Sequence, residues 1–382
     1  MKSINKILLI AILATGAALM FGSCNKEDVS SSGTPTIRYV RVTNPESSDS
    51  LLVGAGQGQL IAIMGENLQS TVAVWFNDQQ SRLTPTYISS TSLLVSVPSQ
   101  IPIEVTNKVK LIFKNGDSLL YDFEVQISEP LVNSMVSEFV NEGDIATIRG
   151  NYFYAPISVA FEGGVTGEIV SLKDNEIQVR VPAGAQPGPI TVKTNFGETK
   201  SDFWFRDIRN IFIGSDPFEG WNNSSLVVTN PGAGDPPKIN GNYFRVNKFV
   251  GAWGWNELAD GDAGSMPSYS KNIPDDAILH PEKYYLKFEV NTMKPYTNSM
   301  IIINAGGSKV QDTKGYKWAP PFDTKGLWNT VVIPYDEVVA SYSEKPVVNP
   351  NGYWAMVLLQ GPGDLDADMS FDNFRVVPKV LK

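Results

Sequence analysis

An internal repeat with a period of about 85 residues constrains the fold of this chain more than any other feature. Gly65-Glu66-Asn67-Leu68 in the first copy corresponds to Gly150-Asn151-Tyr152-Phe153 in the second. Each motif is followed by a strand-like run and then by a run that ends in proline, at 72–76 and 94–98 in one copy and at 157–161 and 177–182 in the other. Proline ends a strand because it cannot donate to the hydrogen-bond ladder. The repeat therefore predicts two small β-sandwiches.

The rest of the sequence also favours β-structure. Strand-like runs are short, β-branched or aromatic, and separated by Gly, Pro, Asn and Asp. They include 71–76, 93–97, 109–113, 157–161, 177–181 and 190–194. After residue 24 no segment has a sustained helical period, so an all-β chain is predicted.

Both copies resemble IPT/TIG domains, a small immunoglobulin-like family, over residues 35–127 and 128–206. The resemblance implies two immunoglobulin-like sandwiches and says almost nothing about function, since such domains often act as spacers. Trp75 and Trp204 lie in their strands and are predicted to pack inward.

The N-terminus resembles a bacterial lipoprotein signal. Lys2 and Lys6 precede an apolar run, 7–21, that is too short to span a membrane comfortably. Gly22-Ser23-Cys24 follows, and Cys24 is the only cysteine in the sequence. We predict that residues 1–23 are a signal peptide and that Cys24 is acylated, which anchors the chain in the outer membrane.

The residues after Cys24 predict where the anchored chain faces. Lys26-Glu27-Asp28 resembles the surface-export signal of Bacteroidota lipoproteins, and the Ser-rich stretch to residue 34 reads as a tether. We therefore expect the folded domains to face the extracellular side.

The charge of the chain limits its ligands. The formal net charge is −9, and loss of Lys2 and Lys6 with the signal peptide makes the chain two charges more negative. Nucleic-acid binding needs clustered Lys and Arg, and no such clusters occur. Polyanionic glycans are disfavoured for the same reason, so a neutral ligand is expected.

Residues 207–382 differ in character from the repeats. They open with Phe218-Glu219-Gly220-Trp221 and close with 371–376, which reads F-D-N-F-R-V. These segments resemble the first and last strands of jelly-roll carbohydrate-binding modules. The whole arrangement resembles the surface glycan-binding proteins of Bacteroidota polysaccharide utilisation loci, and the last domain is most similar to that of the xyloglucan- and β-glucan-binding members. The resemblance implies glycan capture for an outer-membrane TonB-dependent transporter.

Enzymatic interpretations find little support. His280 is the only histidine, so a zinc site or a Cys-His nucleophile is excluded, and no G-x-S-x-G elbow occurs. We expect no cofactor. A carboxylate pair for glycoside hydrolysis stays open, because it needs only proximity in space. The aspartates of 260–262 and 364–368 could hold a structural Ca²⁺ or form solvated turns.

The tryptophans carry the functional signal, since six of the eight lie in the last domain. An indole can cover the C–H face of a pyranose ring while the sugar hydroxyls keep their hydrogen bonds. Trp253 and Trp255 share one face of an extended chain next to a polar loop, which predicts an exposed platform. Trp221 and Trp318 are predicted to bind as well, with Asn256, Glu257, Lys317 and Gln360 as polar partners. Trp328 is predicted to lie in the core, and Trp354 could face either way.

The leading hypothesis is a non-catalytic surface protein that binds a neutral β-glycan. The alternatives are a surface glycoside hydrolase or lyase that uses a carboxylate pair in the last domain, and an adhesin that binds protein through its repeats.

Overall fold

The structure is a computed structural model that describes residues 33–47, 49–221, 224–307 and 315–379. The chain divides into two compact units between Ile127 and Ser128. The predicted signal peptide and Cys24 lie outside the described residues. No helix in the described part of the chain is long and apolar enough to cross a bilayer.

The first unit is a β-sandwich. Its strands are β1 (Thr36–Val42), β2 (Leu51–Leu52), β3 (Gly54–Gly56), β4 (Leu60–Glu66), β5 (Thr71–Phe76), β6 (Gln79–Ser81), β7 (Ser92–Ser96), β8 (Lys108–Phe113), β9 (Ser118–Asp122) and β10 (Glu124–Gln126). The two main sheets have the orders β2-β1-β4-β7 and β6-β5-β8-β9, and β3 pairs in parallel with β10. Single 3-10 turns lie at Pro45–Ser47, Leu68–Ser70 and Pro85–Tyr87.

The second unit begins with a sandwich of the same design. Its strands are β11 (Leu131–Met135), β12 (Ile145–Asn151), β13 (Ser158–Glu162), β14 (Val165–Thr166), β15 (Glu168–Lys173), β16 (Glu176–Arg180), β17 (Gln186–Thr194) and β18 (Gly197–Phe205). Its sheets, β11-β12-β16-β15 and β14-β13-β17-β18, match the strand order of the first sandwich closely. The two sequence copies therefore fold alike.

The repeated glycine has the same physical role in both copies. A Cβ atom on Gly65 would lie 1.9 Å from the Thr36 carbonyl oxygen of β1, and one on Gly150 would lie 1.9 Å from the Leu131 carbonyl oxygen of β11. No other residue lets the two strands approach this closely. Two positions after the glycine, the backbone of each copy turns through a left-handed residue, which is Asn67 in the first copy and Tyr152 in the second.

The expectation that Trp75 and Trp204 pack inward is wrong. Both are half-buried, and Trp75 alternates with the buried Val74 and Phe76 along β5, so it points away from the core. The guanidinium of Arg209 lies 3.6 Å from the centre of the Trp204 ring and covers that indole instead.

The C-terminal domain is a larger sandwich. Its strands are β19 (Ile211–Ile213), β20 (Val227–Val228), β21 (Tyr243–Val250), β22 (Asn256–Gly261), β23 (Tyr284–Thr292), β24 (Met300–Ala305), β25 (Tyr316–Trp318), β26 (Trp328–Pro334), β27 (Ala355–Gln360) and β28 (Leu365–Pro378). Two short helices, α1 (Asp275–Leu279) and α2 (Tyr335–Ala340), and 3-10 turns at Ser224–Leu226 and Pro281–Lys283 connect them. The all-β prediction is confirmed.

Two sheets of the C-terminal domain enclose one apolar core. The larger sheet has the order β20-β21-β28-β23-β26, with β19 also paired to β28, and the smaller has the order β22-β27-β24-β25. In the core the rings of Phe288 and Phe374 stack 4.9 Å apart. Trp328 is buried as predicted, but on the outer side of the larger sheet, where its indole donates to the Pro237 carbonyl over 2.8 Å.

A buried ionic cluster joins the second sandwich to the C-terminal domain. The Glu138 carboxylate accepts hydrogen bonds from Lys287 Nζ at 2.5 Å and from Arg375 Nη2 at 2.7 Å. Arg375 also donates to Glu289 at 3.0 Å, and Thr330 donates its hydroxyl proton to the same carboxylate. Since Glu138 comes from one sandwich and the others from the next, these contacts hold two domains together.

The charges in this cluster depend on one another because all of them are buried. Desolvation would lower the pKa of Arg375, but the carboxylates of Glu289 and Glu138 outweigh it and raise that pKa. Burial raises the pKa of Glu289, against the opposing charge of Arg375. Removing one carboxylate would leave a cation buried without its partner.

We therefore expect Glu138→Ala to lower the free energy of unfolding by about 3–5 kcal/mol, the usual cost of breaking a buried pair. Glu168→Ala is the matched control, because its ion pair with Arg180 in the same sandwich is exposed and contributes about 1 kcal/mol or less. Urea unfolding followed by tryptophan fluorescence measures both. Equal stability of the two variants would contradict the role given to the cluster.

Candidate functional site

Trp253 and Trp255 project from a loop at one end of the smaller sheet. Their side chains are 61% and 51% exposed, which is unusual for indoles. The loop, 251–255, joins β21 of the larger sheet to β22, an edge strand of the smaller sheet. The predicted exposure of this pair is confirmed.

The loop is held in place from both sides. Trp253 N donates to the Gly361 carbonyl at 2.6 Å, and Gln360 Nε2 donates back to the Trp253 carbonyl at 3.2 Å. Ala252 N donates to the Asp364 carboxylate at 2.9 Å. These three bonds attach the loop to the turn between β27 and β28, so the indoles stand on a fixed support.

Trp253 has an unusual backbone conformation. Gly254 N donates to the Gly251 carbonyl at 2.9 Å and closes a tight turn, in which Trp253 has φ of 58°. A bulky residue in the left-handed region costs about 1–3 kcal/mol, and such strain occurs mainly at functional sites. The strain is consistent with a loop shaped for its ligand rather than for stability.

Glu257 links the loop to the outer face of the smaller sheet. Its carboxylate accepts a hydrogen bond from the Trp255 indole nitrogen at 3.2 Å and thereby fixes the orientation of that ring. Glu257 pairs with Leu358, a buried residue of the outer face, in the β22–β27 ladder. Asn256 is buried and donates to the Gly254 carbonyl, so it stabilises the turn.

Trp221 lies farther along the same face. Its backbone N–H donates to the Asp260 carbonyl at 2.8 Å, and its ring packs 5.4 Å from the ring of Trp354. Trp354 belongs to an apolar layer on this face that is separate from the main core and includes Ile302, Met356 and Leu358. Trp221 is half-buried on top of this layer, in a position to contact a ligand lying across the sheet.

The prediction that Trp318 binds a ligand is wrong. Residues 316–318 form strand β25, and Trp318 pairs with Ile301 and points into the core. Its side chain is 6% exposed and stacks on Tyr296 at 5.4 Å. Lys317, on the opposite side of β25, is exposed on the outer face but lies three strands away from β22.

Phe249 was not predicted from the sequence. This ring on β21 is exposed, and its edge lies 3.9 Å from where a Cβ of Gly251 would be. Phe249 is therefore an exposed aromatic ring close to the start of the loop. An unpatterned single aromatic in a strand is ordinarily a core residue, which is why sequence reasoning missed it.

The aspartates considered for Ca²⁺ have partners within the protein. Residues 365–368 begin strand β28 and do not form a turn, and there Asp366 pairs with Lys294 at 2.8 Å and Asp368 with Arg245 at 2.9 Å. Asp262 accepts backbone N–H bonds in its own turn. Among the described residues, no group of three or more His, Cys, Asp and Glu is placed to hold a metal ion.

Comparisons with known proteins fit this geometry. Residues 205–378 match the model of the surface glycan-binding protein B xyloglucan binding domain, and residues 50–125 match the IPT/TIG domain. The C-terminal domain is therefore similar to this family of surface glycan-binding domains. The resemblance seen in the sequence is confirmed. The matching family model describes a glycan-binding domain and not an enzyme.

Several relatives match this chain over most of its length. An IPT/TIG domain-containing protein of Bacteroides ovatus is 28% identical over 499 residues, covering 99% of this chain and 100% of the relative. The crystal structure of the surface glycan-binding protein PbSGBP-B from Prevotella bryantii has a TM-score of 0.64 and 24% identity, covering 91% of this chain and 99% of its own. SGBP-B from a complex xyloglucan utilization locus in Bacteroides uniformis has a TM-score of 0.50 and 18% identity, covering 91% and 100%. The two structures establish the fold.

The contrast between Trp318 and Trp253 can be tested without a ligand. Trp318→Ala should lower the free energy of unfolding by about 3–5 kcal/mol, because it opens a core cavity. Trp253→Gly should change the free energy of unfolding by no more than about 1 kcal/mol, because glycine accepts the left-handed conformation and no buried contact is lost. Thermal unfolding compares the two, and a large loss for Trp253→Gly would place that indole among the structural residues.

Proposed function

We propose that this chain captures a neutral β-glycan, of β-glucan or xyloglucan type, on the aromatic surface of Trp253 and Trp255 and along the sheet toward Trp221. The observation that carries the proposal is the exposed pair of indoles on a hydrogen-bonded, strained loop. Gln360 and Glu257 are polar groups beside the pair, and Asn256 supports it. Lys317 lies three strands from β22, so we give it no contact with the sugar rings that stack on the indole pair.

The size of the platform predicts modest affinity. One indole face covering about 80 Å² of sugar, at about 25 cal/mol per Å², contributes about 2 kcal/mol. The entropy lost when a flexible oligosaccharide is ordered offsets part of this. A dissociation constant of about 10 μM to 1 mM follows for a few stacked rings. Such affinity suits a protein that concentrates polymer at a surface and releases it again.

Two observations support a neutral, extended ligand. The chain has a net charge of −9, and the side chains nearest the exposed indoles include an acid, Glu257, rather than a group of bases. The matching domain family is described as xyloglucan-binding. β-linked glucan backbones are extended and offer flat faces to successive indoles.

The cellular role that we propose follows from the sequence signals and from the family. Cys24 would carry lipid in the outer membrane, with the folded domains outward and residues 24–34 as a tether. The two sandwiches would act as spacers, and captured glycan would pass to a TonB-dependent transporter and surface hydrolases. The family match supports the surface location. The lipid anchor is supported only by the lipoprotein signal that ends at Cys24.

Trp253→Ala and Trp255→Ala should each weaken glycan binding about thirtyfold, since each removes a face that contributes about 2 kcal/mol. Tyr87→Ala is the matched control, because Tyr87 is an exposed aromatic of the first sandwich. Affinity electrophoresis against xyloglucan and β-glucan, followed by calorimetry, measures the effect. Unchanged affinity in both tryptophan variants would contradict the proposal that these indoles bind the glycan.

The same electrophoresis separates the alternative functions. Retardation without new reducing ends indicates binding, and new reducing ends would indicate hydrolysis. Lack of retardation by every neutral polysaccharide in the panel would favour the adhesin.

Cys24→Ala should abolish labelling by a fatty-acid analogue and release the protein from the outer membrane. Protease added to intact cells should degrade the unaltered protein, because its domains face outward. Complete protection of the unaltered protein, with a periplasmic control equally protected, would contradict the outward orientation.

A further inference from the structure

We infer that a second sugar subsite lies at the opposite end of the smaller sheet from Trp253 and Trp255. It is a cavity of about 520 Å³ between the loops that follow β22 and β24 and the loop that precedes β27. The inference rests on the proposed function, since the same neutral glycan would occupy both places. It adds a requirement for chain length that the aromatic pair alone does not impose.

The position of the cavity follows from the strand directions. The loop of Trp253 lies beside the C-terminal end of β27, through its bonds to Gln360 and Gly361. The cavity lies beside the N-terminal end of the same strand, where Trp354 forms part of its wall. Six residues of β27 separate the two ends, which corresponds to about 20 Å of extended chain. A ligand that reaches both places must be longer than the strand.

The outer face connects the two ends with aromatic surface. Trp221 packs against Trp354, which lines the cavity, and Trp221 is bonded through its backbone to β22 at Asp260. Trp255 is bonded to Glu257 on the same strand. A chain that leaves the indole pair along β22 therefore meets Trp221 before it enters the cavity.

The lining suits a sugar unit. Trp354, Pro346 and Val347 provide an apolar wall, and Val347 is 76% exposed, which is unusual for a valine in a folded domain. Glu344 and Asn351 lie on the lining with exposed side chains that can bind hydroxyl groups. Apolar surface with a few polar groups, in a volume of this size, is the usual composition of a small-ligand site.

The charge of the lining favours the same class of ligand as the platform. Lys345 lies next to Glu344 in the cavity, and Asp262 adds a second carboxylate, so the lining is more acidic than basic. Anionic sugars would find a single lysine beside a carboxylate, which does not form an anion site. A neutral backbone residue or its neutral side branch fits better.

The test uses the full chain and two probes, xyloglucan oligosaccharides of one and of two backbone repeats. The two-repeat oligosaccharide is long enough to reach from the indole pair into the cavity, and the one-repeat oligosaccharide is not. Glu344→Ala combined with Asn351→Ala should weaken binding of the longer probe about tenfold, the effect of losing one or two hydrogen bonds. Binding of the shorter probe should stay within twofold.

The control pairs the same residue types elsewhere in the domain. Glu337→Ala on α2 with Asn247→Ala on β21 removes an exposed glutamate and an exposed asparagine that are not part of the cavity lining. This variant should bind both probes like the unaltered chain. Equal melting temperatures of the two double variants show that neither has lost its fold.

Three results would overturn the inference. If the cavity variant binds both probes as the unaltered chain does, the cavity is not a subsite, and the platform function stands. If it loses affinity for both probes equally, the cavity belongs to the primary site and there is no second subsite. If the unaltered chain binds neither probe nor any β-glucan, the proposed function fails together with the subsite.

Discussion

The arrangement of the second unit depends on the buried contact between Glu138 and the two cations Lys287 and Arg375. Ions taken out of water lose several kcal/mol of hydration each, which only close and well-bonded partners can offset. The partners here lie on β23 and β28 of one domain and on the segment after β11 of another. A small displacement of either domain would leave charges buried and unpaired, so the two domains are fixed in one orientation.

This contact also occupies one side of the C-terminal domain. Lys287, Glu289 and Arg375 lie on the outer side of the larger sheet, and the second sandwich contacts that side at β23 and β28. The outer side of the smaller sheet has no comparable contact with that sandwich among the described residues, and it carries Trp221 and the loop of Trp253. The contact with the second sandwich and the proposed binding surface thus lie on opposite sides of the C-terminal domain. A fragment beginning at residue 207 would expose the cations, whereas one beginning at 128 keeps them paired.

The sequence predicted the features that depend on local pattern. The repeated glycines could be found because close strand crossing tolerates no side chain. The exposure of Trp253 and Trp255 was also predicted, but its physical basis is a tight turn with Trp253 in the left-handed region and not the alternation of an extended chain. Pro320 and Pro321 are typical of a loop and favour an exposed Trp318, but pairing with β24 extends the sheet to residue 318 and places this side chain in the core.

Features that depend on distant residues could not be predicted. Glu138 and Arg375 are separated by 237 positions, and their opposite charges are unremarkable in an acidic chain. The cavity likewise combines three loops that no short motif connects. Sequence patterns report neighbours within a strand or turn, and sites assembled from several elements require the fold.

The strained turn at Trp253 connects stability with binding. A flexible loop carrying two indoles would lose conformational freedom on every encounter with ligand, and that loss would subtract from an affinity that is modest to begin with. Here the bonds to Gly361, Gln360 and Asp364 fix the loop before the ligand arrives. The free-energy cost of the left-handed Trp253 arises once, when the protein folds, and the packing of the large aromatic core offsets it. A binding surface made of a few weak stacking contacts is effective only when its contacts are ordered in advance, and the anchored loop provides that order.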